Sequence, residues 1–273
     1  MTTLTQTEFD YVRDLVRRRA AIVVDGDKGY LAEARLLPLA RRAGLPTVAA
    51  LVARLAGGPD SRMHEEVVEA MATNETFFFR DVHPFEALRR EILPDLIRRR
   101  AAERRLTIWC AACSSGQEPY SVAMLVREHF PSLLAWDLRI LASDISLAML
   151  DRSRAGRYHT LEVARGLPTA YLAKYFERDG ADWQVRDEVR RMVEYRRLNL
   201  AEPWPALPPA DIILMRNVMI YFDVSTKRHV LANVRRLLRP DGTLFLGAAE
   251  TTLTIDESFE RIPLDQVSGY RLR

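Results

Sequence analysis

The chain has 273 residues, enough for one large domain or two smaller ones. A hydrophobic content of 48% supports a real core, and 28% charged residues is ordinary for a water-soluble fold. The net charge of +3 is too small to argue for nucleic-acid binding, and no run of about 18 uncharged apolar residues is present to predict an integral membrane segment.

The first residues, Met1–Asp14, are polar and acidic, unlike a secretory leader, so a cytoplasmic location is expected. Phe9, Val12, Leu15 and Val16 share helical spacing. After a break at Asp25–Gly29 the pattern resumes with Leu31, Leu36, Leu37 and Leu39. It continues after Gly44 with Leu45, Val48, Leu51, Val52 and Leu55, and Pro46–Thr47 suits a helix start. Gly57, Gly58, Pro59 and Asp60 close this section. Residues 1–72 carry ten Lys/Arg and ten Asp/Glu, and are read as a small helical domain. Their basic residues cluster at Arg17–Arg19 and Arg41–Arg42, either as solvated helix faces or as a docking surface for an acidic helical partner.

In residues 73–85, polar Thr73–Thr76 lead into Phe77, Phe78 and Phe79, then Arg80 and Asp81. Part of the aromatic run must be core. An arginine just beyond it can present several donors to an anion, although composition alone favours a plain surface arginine. Phe85–Arg100 is a predicted helix, with Leu88, Ile92, Leu93, Leu96 and Ile97 inward, followed by a charged turn at Ala101–Arg105.

Leu106–Ala112 is an apolar run that stops at Cys113, Ser114, Ser115 and Gly116, and a helical pattern begins near Pro119. Strand, small-residue turn, helix is how an α/β protein brings backbone N–H groups to a cofactor, and it is equally an ordinary βα turn. Cys110 and Cys113 have redox-pair spacing, but no second cysteine pair exists and the five histidines do not cluster. No metal site is therefore expected. Leu138–Ala142 is a second strand ending at Ser143–Asp144. An acid there can accept from ribose hydroxyls. It lies 28 residues after Gly116, beyond the usual interval of about 20, and it also suits a helix N-cap before Leu147 and Leu150.

Arg157–Phe176 is irregular, with helical pieces near Thr169–Tyr175. Trp183–Val185 and Met192–Arg196 then alternate as short strands, which predicts an inserted helical and β-hairpin subdomain over about 157–197. Pro203, Pro205, Pro208 and Pro209 make a stiff linker. Asp211–Met215 is a buried strand whose carboxyl end places Asn217 and Tyr221 where ligands sit in open α/β sheets, although capping and packing account for them as well. Thr226–Leu238 is a helix closed by Arg239–Gly242, Thr243–Gly247 is a strand, and Phe259–Ile262 with Val267–Leu272 form an edge hairpin.

These segments resemble the chemotaxis receptor methyltransferases, the S-adenosylmethionine-dependent protein-glutamate O-methyltransferases. The resemblance is carried by Asn74–Asp81, Ala111–Ser121, Ser143–Asp144, Asn199–Leu200, Arg216–Asp223 and Leu238–Gly247, and it runs through essentially the whole chain. It implies an α/β fold: a seven-stranded, Rossmann-like methyltransferase sheet, mostly parallel with one antiparallel strand. A small N-terminal helical domain (1–72) would precede a methyltransferase domain (73–273), with a motif-bearing linker at 73–84 and an inserted β-subdomain. By resemblance, Asn74, Thr76 and Arg80 border S-adenosylmethionine, the product being S-adenosylhomocysteine. Ala112, Gly116 and Val218 are further cofactor contacts. Glu118 lies near the methionine part, Asp144 is the ribose acid, Asn199 and Leu200 flank the adenine, and Asn217 lies against the cofactor. Arg80 and Tyr221 are nearest the transferred methyl.

Two departures stand out. The family turn usually has two acids before the proline, and here the first is Gln117. Members that bind a tethering peptide at the receptor C-terminus carry a longer, glycine-rich loop than Phe176–Trp183, so independence from that peptide is expected. The implied partners are the cytoplasmic helical region of chemoreceptors or other receptor-like coiled coils, with recruitment to membrane receptor arrays.

The implied chemistry needs little from the protein. A glutamate titrating near about 4.3 is already ionised at neutral pH and can attack a sulfonium methyl directly. Alignment and exclusion of water remain, with Arg80 orienting the carboxylate and the Tyr221 hydroxyl a weaker contact. Glu118 and Asp144 as an acid–base couple is the poorer reading. Rival readings are a nucleotide-dependent α/β enzyme, disfavoured because Gly116 alone replaces Gly-x-Gly-x-x-Gly, a non-catalytic adaptor, and the same chemistry on a receptor outside chemotaxis.

Overall fold

The computed structural model describes residues 4–59 and 61–273. Asp60, part of the break expected after the first helical section, lies outside the described residues. Two units are present. One comprises the described residues through Thr73 with Leu200–Pro203 and Tyr221–Lys227. The other comprises Asn74–Asn199, Trp204–Ile220 and Arg228–Arg273.

The first unit is helical. Helix α1 (Gln6–Ala20) starts from a capping box: the Glu8 N–H donates to the Thr5 hydroxyl, and the Thr5 N–H donates to the Glu8 carboxylate at 2.7 Å. Phe9, Val12, Leu15 and Val16 are all buried, as their spacing predicts. Helix α2 (Gly29–Arg42) buries Ala32, Leu36, Leu39 and Ala40, while Leu31 and Leu37 are only half-buried. Helix α3 (Val48–Gly57) is capped by the Thr47 hydroxyl, which accepts from the Ala50 N–H at 3.1 Å. Helix α4 (Arg62–Met71), not among the predicted elements, presents Val67, Val68 and Met71 inward. In the same unit the Val23 N–H donates to the Tyr221 carbonyl at 2.8 Å, and Ile22 bridges Phe222.

The second unit is built on a seven-stranded sheet. Its strands are β1 (Arg105–Ala111), β2 (Asp137–Asp144), β6 (Val193–Arg197), β7 (Ala210–Met215), β8 (Leu238–Leu246), β9 (Phe259–Leu264) and β10 (Val267–Leu272). The order is β6-β2-β1-β7-β8-β10-β9. The first five pair in parallel and β10 runs antiparallel to both neighbours, which is the expected mostly parallel methyltransferase sheet. Strands β1 and β7 are apolar almost throughout because helices cover both faces of a parallel sheet. The two cover helices that follow the first two strands are α7 (Gln117–His129) and α8 (Leu147–Ala155).

Three expectations need correction. The predicted helix Phe85–Arg100 begins at His83 as α5 (His83–Ala87) and passes through a π-helical stretch, Leu88–Ile92, into α6 (Leu93–Arg99), so that Leu88, Ile92, Leu93 and Leu96 all reach the core. Its last residue, Arg100, is buried, donating to Asp211 at 2.9 Å and to Asp241 at 2.6 Å. The strand expected at Met192–Arg196 is not part of the insertion. It is edge strand β6 of the main sheet, because Ile140–Asp144 pairs with Val193–Arg197. The residues Arg239–Gly242 do not close a helix but run within β8, whose register against β7 shifts between Ala210 and Ile212.

The insertion is a separate three-stranded antiparallel sheet of β3 (Arg157–His159), β5 (Asp182–Val185) and β4 (Phe176–Asp179), in that order. Gly180, at φ +63°, turns β4 into β5 with only Ala181 beside it. Phe78 sits between this sheet and the core, edge-on to Tyr158 and Phe176 at 5.1 and 5.5 Å. Among the described residues no helix is long and apolar enough to cross a membrane.

Candidate active site

The carboxyl ends of β1, β2, β6 and β7 carry most of the residues singled out in the sequence. After β1 the backbone turns through left-handed Ala112 (φ 54°), Ser114 (φ 50°) and Gly116 (φ 93°). The Ser114 N–H donates to Asp144 Oδ2 at 2.8 Å, and the Ser146 N–H donates to Oδ1 at 2.9 Å. Asp144 is thus the last residue of β2 and joins the first turn to the second. It is not the cap of α8. Ser146 takes that position, its hydroxyl accepting from the Met149 N–H.

Gly116 is glycine for packing. A Cβ there would lie 2.7 Å from Ser153 Oγ and 2.9 Å from Ser153 Cβ, in a backbone conformation that already disfavours side chains. The turn is braced from below: Ser153 Oγ donates to the Ser114 carbonyl at 2.9 Å, and the Tyr158 hydroxyl donates to the Ser115 carbonyl at 2.6 Å. Cys110 and Cys113 are buried and free, and burial pushes both thiols up, away from thiolate chemistry.

The segment before the first helix of this unit lies over the same turn. The Ser114 hydroxyl donates to the Asn74 carbonyl at 2.8 Å, and the Phe79 N–H donates to Ser121 Oγ in α7 at 2.9 Å. Phe79, Asp81 and Val82 all have positive φ, at 51°, 66° and 48°. Non-glycine residues persist there only where their surroundings over-determine the backbone. Half-buried Arg80 sits within this strained stretch and donates to the Glu75 carbonyl at 2.7 Å.

What holds that stretch is Arg216, a residue to which the sequence assigned no separate role. Its side chain is 1% exposed and leaves the end of β7. It donates to Glu118 at 2.8 Å, to the Arg80 carbonyl at 2.8 Å and to Asp81 at 2.6 Å. Burial raises the Glu118 carboxyl above its ordinary range, and Arg216 opposes that rise.

Asn217 follows at φ 59°. The Glu250 carboxylate collects three backbone N–H groups: Gly247 at 2.6 Å, Asn217 at 2.8 Å and Ile220 at 3.2 Å. This clamp was also missed. The signal for Arg216 was a charged residue ending an apolar strand, but nothing local marks Glu250.

Asn199 and Val218 are half-buried in this unit, and Thr76 is half-buried beside Arg80 in sequence. The structure therefore brings Asn74, Thr76, Arg80, Ala112, Gly116, Glu118, Asp144, Asn199, Asn217 and Val218 into one unit. Leu200 and Tyr221 belong to segments that group with the helical unit. Leu200 is buried and Tyr221 half-buried there.

A Rossmann-like sheet with one antiparallel strand, a small-residue turn after the first strand and an acid ending the second is the architecture of an S-adenosylmethionine-dependent methyltransferase. Residues 74–268 match the family described as CheR methyltransferase, SAM binding domain, and residues 7–72 match its all-alpha domain. The chain is 37% identical to chemotaxis protein methyltransferase Cher2 of Pseudomonas putida, over 93% of this chain and 94% of that one. It is 38% identical to chemotaxis protein methyltransferase 1 of Pseudomonas aeruginosa, over 97% and 98%. The Vibrio cholerae protein of the same name is 38% identical over the full length of both. The chain belongs to the CheR methyltransferase family. It uses S-adenosylmethionine to methylate glutamate side chains of chemoreceptors.

Proposed function

We propose that the residues gathered at the strand ends divide this methyl transfer among them as follows. The observation that carries the assignment is Asp144, a buried carboxylate at the end of β2 tied to the turn after β1. Its oxygens accept from the Ser114 and Ser146 N–H groups, which orient the group, and an oriented acid at the end of this strand suits ribose hydroxyls. Ala112 and Gly116 supply backbone to the turn that would face the cofactor. Asn199, Leu200, Asn217 and Val218 would line the adenine and its surroundings, and Asn74 and Thr76 would border the far side. Glu118, compensated by Arg216, would accept from the amino group of the methionine part.

The bound cofactor supplies a sulfonium methyl, an electrophile needing no further activation. The substrate glutamate is ionised near neutral pH, so no residue has to remove a proton. Arg80 would hold that carboxylate through paired donors, and the Tyr221 hydroxyl would add a weaker contact. The negative charge on the carboxylate falls as the ester forms. The arginine must therefore orient the carboxylate without binding its ground state too tightly. Glu118 and Asp144 have no acid–base work here.

We also propose the division at 1–72 and 73–273, action at the cytoplasmic helical region of receptors, and independence from a receptor C-terminal tether peptide. The short β4–β5 connection through Gly180 supports the last point, since it leaves no extended loop to take up a peptide.

The test is one variant measured in two ways. Arg80→Ala should lower tritiated-methyl transfer far more than cofactor binding by calorimetry. Equal losses in both would remove the orienting role.

A further inference from the structure

We propose that Arg165 is a second substrate-recognising arginine, which reads an acidic residue lying one helical turn from the glutamate that is methylated. The inference rests on the reading of Arg80 above.

Arg165 belongs to the insertion, 85 positions beyond Arg80 in the sequence, yet both guanidinium groups lie on one ring. The Arg165 guanidinium carbon is 4.2 Å from the Phe77 ring centroid and that of Arg80 is 5.6 Å from it. The placement is built in. Gly166, at φ +83°, lies so close to Phe78 that a Cβ would meet the Phe78 carbonyl oxygen. The loop carrying Arg165 is therefore seated against the backbone of the Phe77–Phe78 stretch and has no room to carry a side chain there.

One acid now serves both arginines. The Glu75 carboxylate pairs with Arg165 at 2.7 Å, while the Glu75 carbonyl accepts from Arg80 at 2.7 Å. The two arginines beside it hold the Glu75 carboxyl below its usual range. Arg165 and Glu75 are both more than half exposed, and an exposed ion pair is weak enough for another carboxylate to replace it. Glu75 thus occupies, from within the chain, a place suited to a carboxylate of the substrate. On the helical receptor region that the family resemblance implies, acidic side chains three or four apart on one helix face are ~5–6 Å apart at Cβ. Two guanidinium groups on one aromatic ring lie within ~10 Å of each other, a span that two such acids can meet together. Arg80 would take the acceptor glutamate and Arg165 its neighbour.

The experiment uses the full chain, labelled S-adenosylmethionine and receptor cytoplasmic fragments, with the neighbouring acid either present or changed to glutamine. Arg165→Ala should raise KM for the acidic fragment about tenfold, with kcat within about twofold and S-adenosylhomocysteine affinity unchanged. Arg165→Lys should recover part of the loss, because the charge is kept. Glu75→Gln should lower KM. The neutralised fragment should show the raised KM with the unaltered chain and no further rise with Arg165→Ala. An unchanged KM in Arg165→Ala, or equal losses on both fragments, would overturn the assignment. If the unaltered chain methylates fragments but Arg80→Ala behaves like it, the reading of Arg80 fails instead. If the unaltered chain labels no fragment, both readings fall.

Discussion

Asp144 shows what one side chain contributes. Its buried carboxylate accepts from the Ser114 and Ser146 N–H groups and so ties the turn after β1 to the end of β2. Asp144→Ala should weaken S-adenosylhomocysteine binding at least about tenfold by calorimetry, the size expected for losing hydrogen bonds to a charged group. An unchanged dissociation constant would remove the ribose assignment. Gly116→Ala tests packing beneath the turn. The new methyl meets Ser153, so urea unfolding should show a loss of about 2 kcal/mol, and wild-type stability would contradict the account. Asp144 and Gly116 were legible because each lies within a few small residues of the end of an apolar run. Arg216 and Glu250 were not, because each is tied to a partner far along the chain, Glu118 at 98 residues and Asn217 at 33. A charge balanced only after folding leaves no local pattern.

At the level of elements, the buried Arg216 links α7 and β7 to the strained Phe79–Val82 stretch. Removing one member leaves the other as an unpaired buried charge. Arg216→Met should cost about 3–5 kcal/mol at pH 8. The pH dependence follows from Glu118. Burial raises its folded-state pKa above the ordinary 4.5, so as pH falls the folded chain takes up this proton before the unfolded chain does. Its stability contribution therefore declines as pH rises above 4.5, and more steeply once Arg216 no longer opposes the shift. The variant's deficit relative to wild type should be smaller at pH 5 than at pH 8, measured by urea unfolding at both. A deficit independent of pH would show that Glu118 does not carry the cost. The alternation that revealed the insertion also misplaced β6. An edge strand has one ladder partner, and Val193–Arg197 alternates in burial much as a hairpin strand does. The short turn at Gly180 carries its own prediction. Receptor fragments with and without the C-terminal peptide should be methylated at equal rates, and a marked advantage for the peptide-bearing form would contradict tether independence.

For the whole molecule, sheet order and chemistry agree. The order β6-β2-β1-β7-β8-β10-β9 sets the carboxyl ends of four parallel strands side by side, and several candidate residues, among them Gly116, Asp144, Asn199 and Asn217, follow those ends. This much was readable from the sequence, since apolar runs ending in small or acidic residues mark strand ends in a parallel sheet. The nature of the ligand came from the order of the motifs through the chain, which the family matches over 7–72 and 74–268 bear out. The most direct test is peptide mapping after incubation with labelled S-adenosylmethionine and receptor cytoplasmic fragments. Label should appear on glutamate side chains as methyl esters released by mild base. Base-stable label, or label on any other residue type, would contradict glutamate O-methylation.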